Sequence, residues 1–230
     1  MLRITTIIQN VKAPLARPDV LDYDRHAERP VGMGHSQESK LETHAKILDA
    51  AAKRFREAGL GGIGVADLMQ EVGLTVGGFY KHFASRGALI AEAVGAMGNG
   101  WDSVFATARA RGHANPTLFD ALVDSYLSLE HRDHPGEGCL FAALSSELGR
   151  SEADARTVAT NKLETLLGKL SRVFDDRRAP AARAAAIFVY ATLVGALSLA
   201  RSTNDDALSR EILVTVGKGL KKTLRPVPSK

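Results

Sequence analysis

The chain has 230 residues, of which 45% are hydrophobic, enough to bury a sizeable core in one or two domains. Its formal net charge of +4 is mildly basic, which permits a nucleic-acid partner without demanding one. A lone cysteine excludes an intramolecular disulfide, and Leu2 to Ile8, interrupted by Arg3, Thr5 and Thr6, lacks the apolar run of a secretory signal. The protein is therefore expected to be cytoplasmic, with no membrane partner.

Residues 1–36 carry Pro14, Pro18 and Pro30 and show no sustained period, so they read as a disordered or extension arm. From Glu38 to Ala58 the pattern turns helical, with Ile47, Leu48, Ala51, Phe55 and Ala58 on one face and Gly59 as the stop. The next stretch, Ile63 to Glu92, predicts two short helices around the turn Val72-Gly73-Leu74-Thr75. Ala66, Leu68, Met69 and Val72 give the first its apolar face. Gly73 ends it by adopting a left-handed conformation, and Thr75 is placed to cap the second with its hydroxyl. Phe79 and Phe83 form the core stripe of that second helix, leaving Val76, Gly77, Tyr80, Lys81 and His82 open. Between Val72 and Ala91 there is no acidic residue, while Lys81, His82 and Arg86 fall inside. Two short helices joined in this way are the simplest device for seating a helix in the DNA major groove.

The pattern then predicts a long helix with apolar positions from Leu89 through Trp101 and Phe105 to Ala108. Gly95, Gly98 and Gly100 in its middle serve either close packing or a soft point. Pro116 suits the first turn of a helix carrying Leu118, Leu122, Val123, Tyr126 and Leu127. A polar loop, His131 to Gly138, precedes a short helix over Cys139 to Leu148. A longer helix begins near Glu152 and another at Pro180. The latter is apolar all round from Ala184 to Ala200, so it must be covered on every side. The last helix is expected to begin at Asn204 as cap, with Asp205 and Asp206 near the positive end of its dipole. No strand-like alternation appears. The fold class is all-α, with about nine helices by this reading.

The segments HAKILDAAAKRFREAG (44–59) and GLTVGGFYKHFASRGALIAEAV (73–94) resemble the N-terminal domain of the tetracycline-repressor (TetR) family. The resemblance rests on Ile47, Leu48, Ala50, Ala51, Phe55, Gly73, Tyr80, His82, Phe83, Ser85, Arg86 and Leu89. It implies an all-α protein with an N-terminal three-helix helix-turn-helix domain (37–84) and a C-terminal helical ligand-binding and dimerisation domain (85–225). It further implies a ligand-responsive repressor that binds a palindromic operator in double-stranded DNA as a homodimer and is released by a small-molecule effector. The last two long helices would pair with their copies. Carried over by position, Thr75, Tyr80 and Lys81 would hold phosphates, Arg86 would be a further basic contact, and Val76, Gly77 and Gly78 would face base edges. Gly64 and Gly78 depart from the resemblance, since hydroxyl residues are frequent there. Direct base reading is therefore expected to be sparse.

Candidate effector-pocket residues are Trp101, Phe105, Phe119, Tyr126 and Phe141, together with Cys139. The cysteine stands at the predicted N-terminus of a helix, a setting that can activate a thiol. An alternative reading is accordingly a thiol-based electrophile or oxidant sensor acting through Cys139. Glu130, His131, Asp133, His134 and Cys139 form only a weak metal pattern, and neither a metal nor a cofactor is expected. No catalytic signature is present, so an enzyme or a DNA-free binding protein is the lesser alternative.

Overall fold

A computed structural model of the chain describes residues 33–98, 101, 115–174 and 177–226. Among these residues there are ten α-helices and no strand. The arm expected over 1–36 lies outside the described residues up to 32, and α1 (Met33–Ala58) starts earlier than the periodicity at Glu38 implies.

Ile47, Ala51 and Phe55 are fully buried along one face of α1. The helix stops at Gly59, whose φ of 83° lies in the left-handed region. A Cβ at Gly59 would also stand 2.7 Å from Glu147 Oε1, so glycine is required there for space as well as conformation. Next, α2 (Val65–Glu71) begins at Gly64, which has no side chain to cap it, and buries Leu68 and Met69. It closes at Gly73, at φ 76°, where Leu74 N–H reaches the Met69 carbonyl at 2.8 Å. The following helix, α3 (Val76–Phe79), is a single turn. Thr75 sits at its N-cap in extended backbone, but its hydroxyl accepts no hydrogen bond from the helix, contrary to the capping role expected of it. Phe83, expected within this helix, lies beyond it in a tight turn and packs on Phe79 with ring centroids 5.4 Å apart.

Ser85 caps α4 (Arg86–Ala96) by accepting from Ala88 N–H at 3.0 Å. Where the apolar pattern predicts one helix through Ala108, α4 stops at Ala96, and Met97 takes extended backbone (φ −59°, ψ 126°). The glycines at 95 and 98 are poor helix formers flanking the break, and apolar periodicity reports a buried face rather than a continuous backbone.

The C-terminal part comprises α5 (Asn115–Tyr126), α6 (Leu129–Asp133), a 3-10 turn (Pro135–Glu137), α7 (Leu140–Leu148) and α8 (Ala153–Ser171), then a second 3-10 turn (Arg172–Phe174), α9 (Ala179–Ser202) and α10 (Asp206–Leu224). The polar loop predicted over 131–138 thus contains the end of a helix and a 3-10 turn. Asp205, not Asn204, caps α10, accepting from Ala207 and Leu208 N–H through Oδ1.

Two apolar cores result. The first is built on Ile47, Phe55, Met69, Phe79, Phe83 and Leu89 and takes in Leu140, Leu144 and Leu148 from α7. The second joins α5, α8, α9 and α10 around Phe119, Leu166, Phe174, Val189, Leu193 and Leu197. Each large aliphatic side chain so buried contributes about 1.5–3 kcal/mol. The α9 helix is long and apolar enough by length and composition to cross a membrane, a test that core helices also pass. Here it packs on α8 and α10. Its outer side leaves Ile187, Phe188 and Leu199 exposed, and Leu208 and Val214 of α10 are exposed too.

Candidate nucleic-acid interface and sensing cavity

At the N-terminal end, Gly73 turns the chain so that α3 stands off α2 with Phe79 inward. This places Thr75, Val76, Gly77, Tyr80 and Lys81 on a solvent-facing surface, with Val76 47% and Tyr80 72% exposed. The Tyr80 ring rests edge-on against Phe79 at 5.2 Å, which aims its hydroxyl away from the core. No atom lies within 4 Å of a Cβ added at Gly77, whereas one at Gly78, which is half-buried, would meet Met69 Cε at 3.7 Å and Thr75 Oγ1 at 3.8 Å. The exposed set therefore offers a hydroxyl pair, one ammonium and a patch of bare backbone, a combination suited to phosphates and close groove approach.

Arg86, predicted as a further basic contact on DNA, is turned the other way. Its Nη1 donates to the Ile63 carbonyl at 2.9 Å, its Nη2 donates to the Leu60 carbonyl, and its guanidinium lies 5.8 Å from the Phe55 ring centre. It braces the turn between α1 and α2. Lys46 is a second brace that the sequence did not disclose, donating to the Val72 carbonyl at 3.0 Å at the negative end of α2. His82 lies tilted against His44 and Phe83, and burial, followed by His44, Lys40 and Lys81, holds its pKa below the ordinary value.

The pocket candidates divide. Phe119 packs on Phe174 at 5.5 Å within the second core. Trp101 and Tyr126, both buried, pack in a tilted arrangement with ring centres 5.1 Å apart and back onto Tyr190. Phe105 lies outside the described residues. Cys139 and Phe141 line a cavity of about 430 Å³ between the end of α4, the start of α7, and α8 and α9. Cys139 is the N-cap of α7, and its Sγ is 3.1 Å from the Tyr190 hydroxyl. Burial, with Cys139 alongside, raises the pKa of Tyr190 and of Tyr126 above the ordinary phenol value. Behind them, the Cys139 backbone N–H donates to His131 Nε2 at 3.0 Å while His131 Nδ1 lies 2.8 Å from the Tyr126 carbonyl. Those partners assign the proton to Nδ1, and burial lowers the pKa of the ring. Among the described residues no three His, Cys, Asp or Glu side chains converge as a metal site.

Three contacts tie the region around this cavity to the N-terminal helices. Arg56 Nε donates to the Gly136 carbonyl at 2.7 Å, Leu60 N–H donates to Glu147 Oε2 at 2.7 Å, and Lys162 Nζ donates to the Gly95 carbonyl at 2.7 Å.

Residues 47–93, which hold α2, α3 and the exposed face between them, match the family model described as bacterial regulatory proteins, tetR family. The helix-turn-helix segment of the chain is thus of the TetR type. Solved structures extend the likeness in fold to the C-terminal helices. A TetR transcriptional regulator from Chloroflexus aurantiacus is 19% identical, covers 83% of this chain and 100% of its own, and superposes with a TM-score of 0.66. A TetR-family regulator from Agrobacterium tumefaciens gives 0.64 at 19% identity, covering 79% and 97%. The reduced form of NemR from E. coli gives 0.62 at 19% identity, covering 79% and 96%. No curated protein matches by sequence.

The matched segment is the DNA-binding part of bacterial transcriptional regulators. The residues that sequence reasoning missed are Tyr190, Lys162 and Lys169, all at the cavity wall. Tyr190 is hidden inside a uniformly apolar run. The lysines read as solvated helix positions, and only their spacing on α8 could have separated them.

Proposed function

We propose that this TetR-family chain is a repressor that binds a palindromic operator as a homodimer and is released when a small molecule enters the cavity beside Cys139 and Phe141. In this reading residues 37–84 form the DNA-binding domain and 85–225 the ligand-binding and dimerisation domain. The observation that carries it is the solvent-facing row Thr75, Val76, Gly77, Tyr80 and Lys81, held by an inward Phe79 on a glycine-terminated α2. Thr75, Tyr80 and Lys81 bind phosphates. Val76 touches base edges through apolar contact with a thymine methyl, with Gly77 and Gly78 admitting the backbone to the groove. The exposed Ile187, Phe188 and Leu199 of α9 are covered by a second copy, giving a closed two-fold pair. The chain acts in the cytoplasm by binding alone, without catalysis.

Release is a population shift. The effector favours a dimer whose two α3 helices no longer match half-sites about 34–36 Å apart. A footprint around the promoter of its own gene at moderate salt tests the reading. A discrete, palindromic protected site is expected, and its absence rejects operator binding.

A second reading is favoured by one contact, Cys139 Sγ against the Tyr190 hydroxyl at the cavity wall. Alkylation there would form an S–C bond, release the thiol proton and break that contact. Unchanged derepression by alkylating agents and oxidants in Cys139→Ser would dispose of it.

A further inference from the structure

A second cavity, of about 630 Å³, lies between the end of α1, α6, the start of α7 and the corner joining α9 to α10. Its described lining differs in kind from that beside Cys139. The apolar share is three alanines and Pro135, with no large hydrophobic side chain, and the rest is charged or polar.

Six charged residues line it, and their pairings decide its character. Glu57 lies 3.2 Å from Arg54 and 4.0 Å from Lys53. Asp133 and Asp206 pair with Arg132 at 2.6 and 2.7 Å, and Asp206 also holds Arg210 at 2.6 Å. Each carboxylate is thus engaged by a cation other than Arg56 and Arg201. Those two guanidiniums donate only to neutral carbonyls. Arg56 gives Nε and Nη2 to the Gly136 carbonyl, leaving Nη1 without a hydrogen bond among the described residues. Arg201 gives Nε to the Arg132 carbonyl and Nη2 to that of His131, and its Nη1 is buried without a partner among the described residues.

Both guanidiniums grip one short strap. Gly136 is the acceptor of Arg56, and a Cβ at Gly138 would stand 3.0 Å from Arg201 Nη2. These anchor points are two residues apart, about 7 Å of chain at most. Burial lowers the pKa of both, offset in part by neighbours that include Glu137 for Arg56 and Asp133 for Arg201, as expected of cations short of counter-charge.

We propose that this cavity binds a small hydrophilic oxyanion, a phosphate- or carboxylate-bearing polyol or hydroxy acid, with its anionic group against Arg56 and Arg201 and its hydroxyls toward Ser202, Thr203 and Asn204. A guanidinium fork matches either anionic group. An apolar ligand would leave these polar walls without partners, and a cationic one would meet like charge. The site joins the last turn of α1 to the end of α9, so an occupant fastens the first helix to the C-terminal helices and stabilises the fold by mass action.

The test needs neither operator nor effector. Full-length protein is titrated calorimetrically at constant ionic strength with inorganic phosphate, ribose 5-phosphate and citrate, with ribose as the uncharged control. At least one anion should bind and raise the thermal midpoint with its concentration, and ribose should bind about tenfold more weakly or less. Tighter binding of ribose 5-phosphate than of citrate assigns a phosphate group, and the reverse assigns a carboxylate. Asn204 is exposed on the wall, so Asn204→Asp adds a negative charge there at constant shape. It should weaken the anion by about threefold or more while the thermal midpoint without ligand stays near wild type. Arg56→Met should weaken the anion by about tenfold, and Arg56→Lys should recover part of that loss. No binding by any anion at millimolar concentration overturns the proposal. So does ribose binding as well as ribose 5-phosphate, or an affinity that neither Asn204→Asp nor Arg56→Met changes.

Discussion

Arg56, in the last turn of α1, donates its Nε to the carbonyl of Gly136 at 2.7 Å, just ahead of Cys139 in the same strap. One guanidinium therefore fastens the first helix to the segment that leads into the proposed effector cavity. Burial lowers its pKa, partly offset by nearby Glu137 and Glu57, yet it remains charged throughout any working range. Arg56→Ala should cost about 1–2 kcal/mol of stability, seen as a lower denaturant midpoint. It should also blunt effector release while leaving the operator footprint in place. A footprint that clears as readily as in wild type would show that this strap carries no signal.

Gly77 and the groove surface can be separated by one substitution. An alanine there meets nothing in the protein and gains helix propensity worth up to about 1 kcal/mol, so the thermal midpoint should rise slightly. The added methyl stands on the face proposed to lie against DNA, so operator affinity in a gel-shift titration should fall. Tighter binding together with higher stability would move the contact surface elsewhere.

Lys81 and Tyr80 are proposed phosphate ligands. Lys81→Ala should reduce the slope of log affinity against log salt by about one, and Tyr80→Phe should weaken binding similarly on every operator variant. Val76→Thr should instead change the ranking among operator variants. Titration of a small set of half-site mutants at two salt concentrations distinguishes these outcomes.

His131 makes the contacts around Cys139 sensitive to acid. Its pKa is held below its ordinary value of 6.5, first by burial and also by Arg201, against the raising effect of the Tyr126 carbonyl. Because the folded pKa is depressed, the stabilisation is fully present above 6.5 and is lost as pH falls through the lower folded value. Protonation of Nε2 would also remove the acceptor of the Cys139 N–H. Denaturant midpoints should therefore decline from pH 7 toward pH 5, and His131→Gln should flatten that decline. His134, raised mainly by its bond to the Glu130 carbonyl, acts in the opposite sense, so the variant rather than the wild-type curve isolates His131.

Phe188, 58% exposed, and Leu199, 60% exposed, test the proposed self-association. Phe188→Asp or Leu199→Asp should yield monomers in light scattering with helix content retained. A dimer that survives both changes is held by another face.

The order and character of the helices were legible in the sequence because buried side chains recur at helical spacing and glycines at 59 and 73 punctuate them. Three details were not. Asn204 and Asp205 are both good caps, and only the backbone shows that Asp205 takes the position. The end of α4 at Ala96 is invisible to a pattern that tracks apolar faces. Arg86 reads as a DNA contact by position, yet its fork closes on two backbone carbonyls from the preceding turn, a choice decided by geometry more than twenty residues away. In the sensing region, Cys139 could be singled out as a nucleophile, but its neighbour Tyr190 is distant in sequence and looks like ordinary core.

The uncovered face of α9 bears on how stability is measured. In the dimer proposed above, folding and association become one equilibrium, so the thermal midpoint climbs with protein concentration through mass action. Dilution then populates separated subunits, each with a single α3 helix and able to engage only one operator half-site. Occupancy of the operator becomes second order in the amount of chain present. A cell making little of the protein would lose repression more steeply than it loses protein.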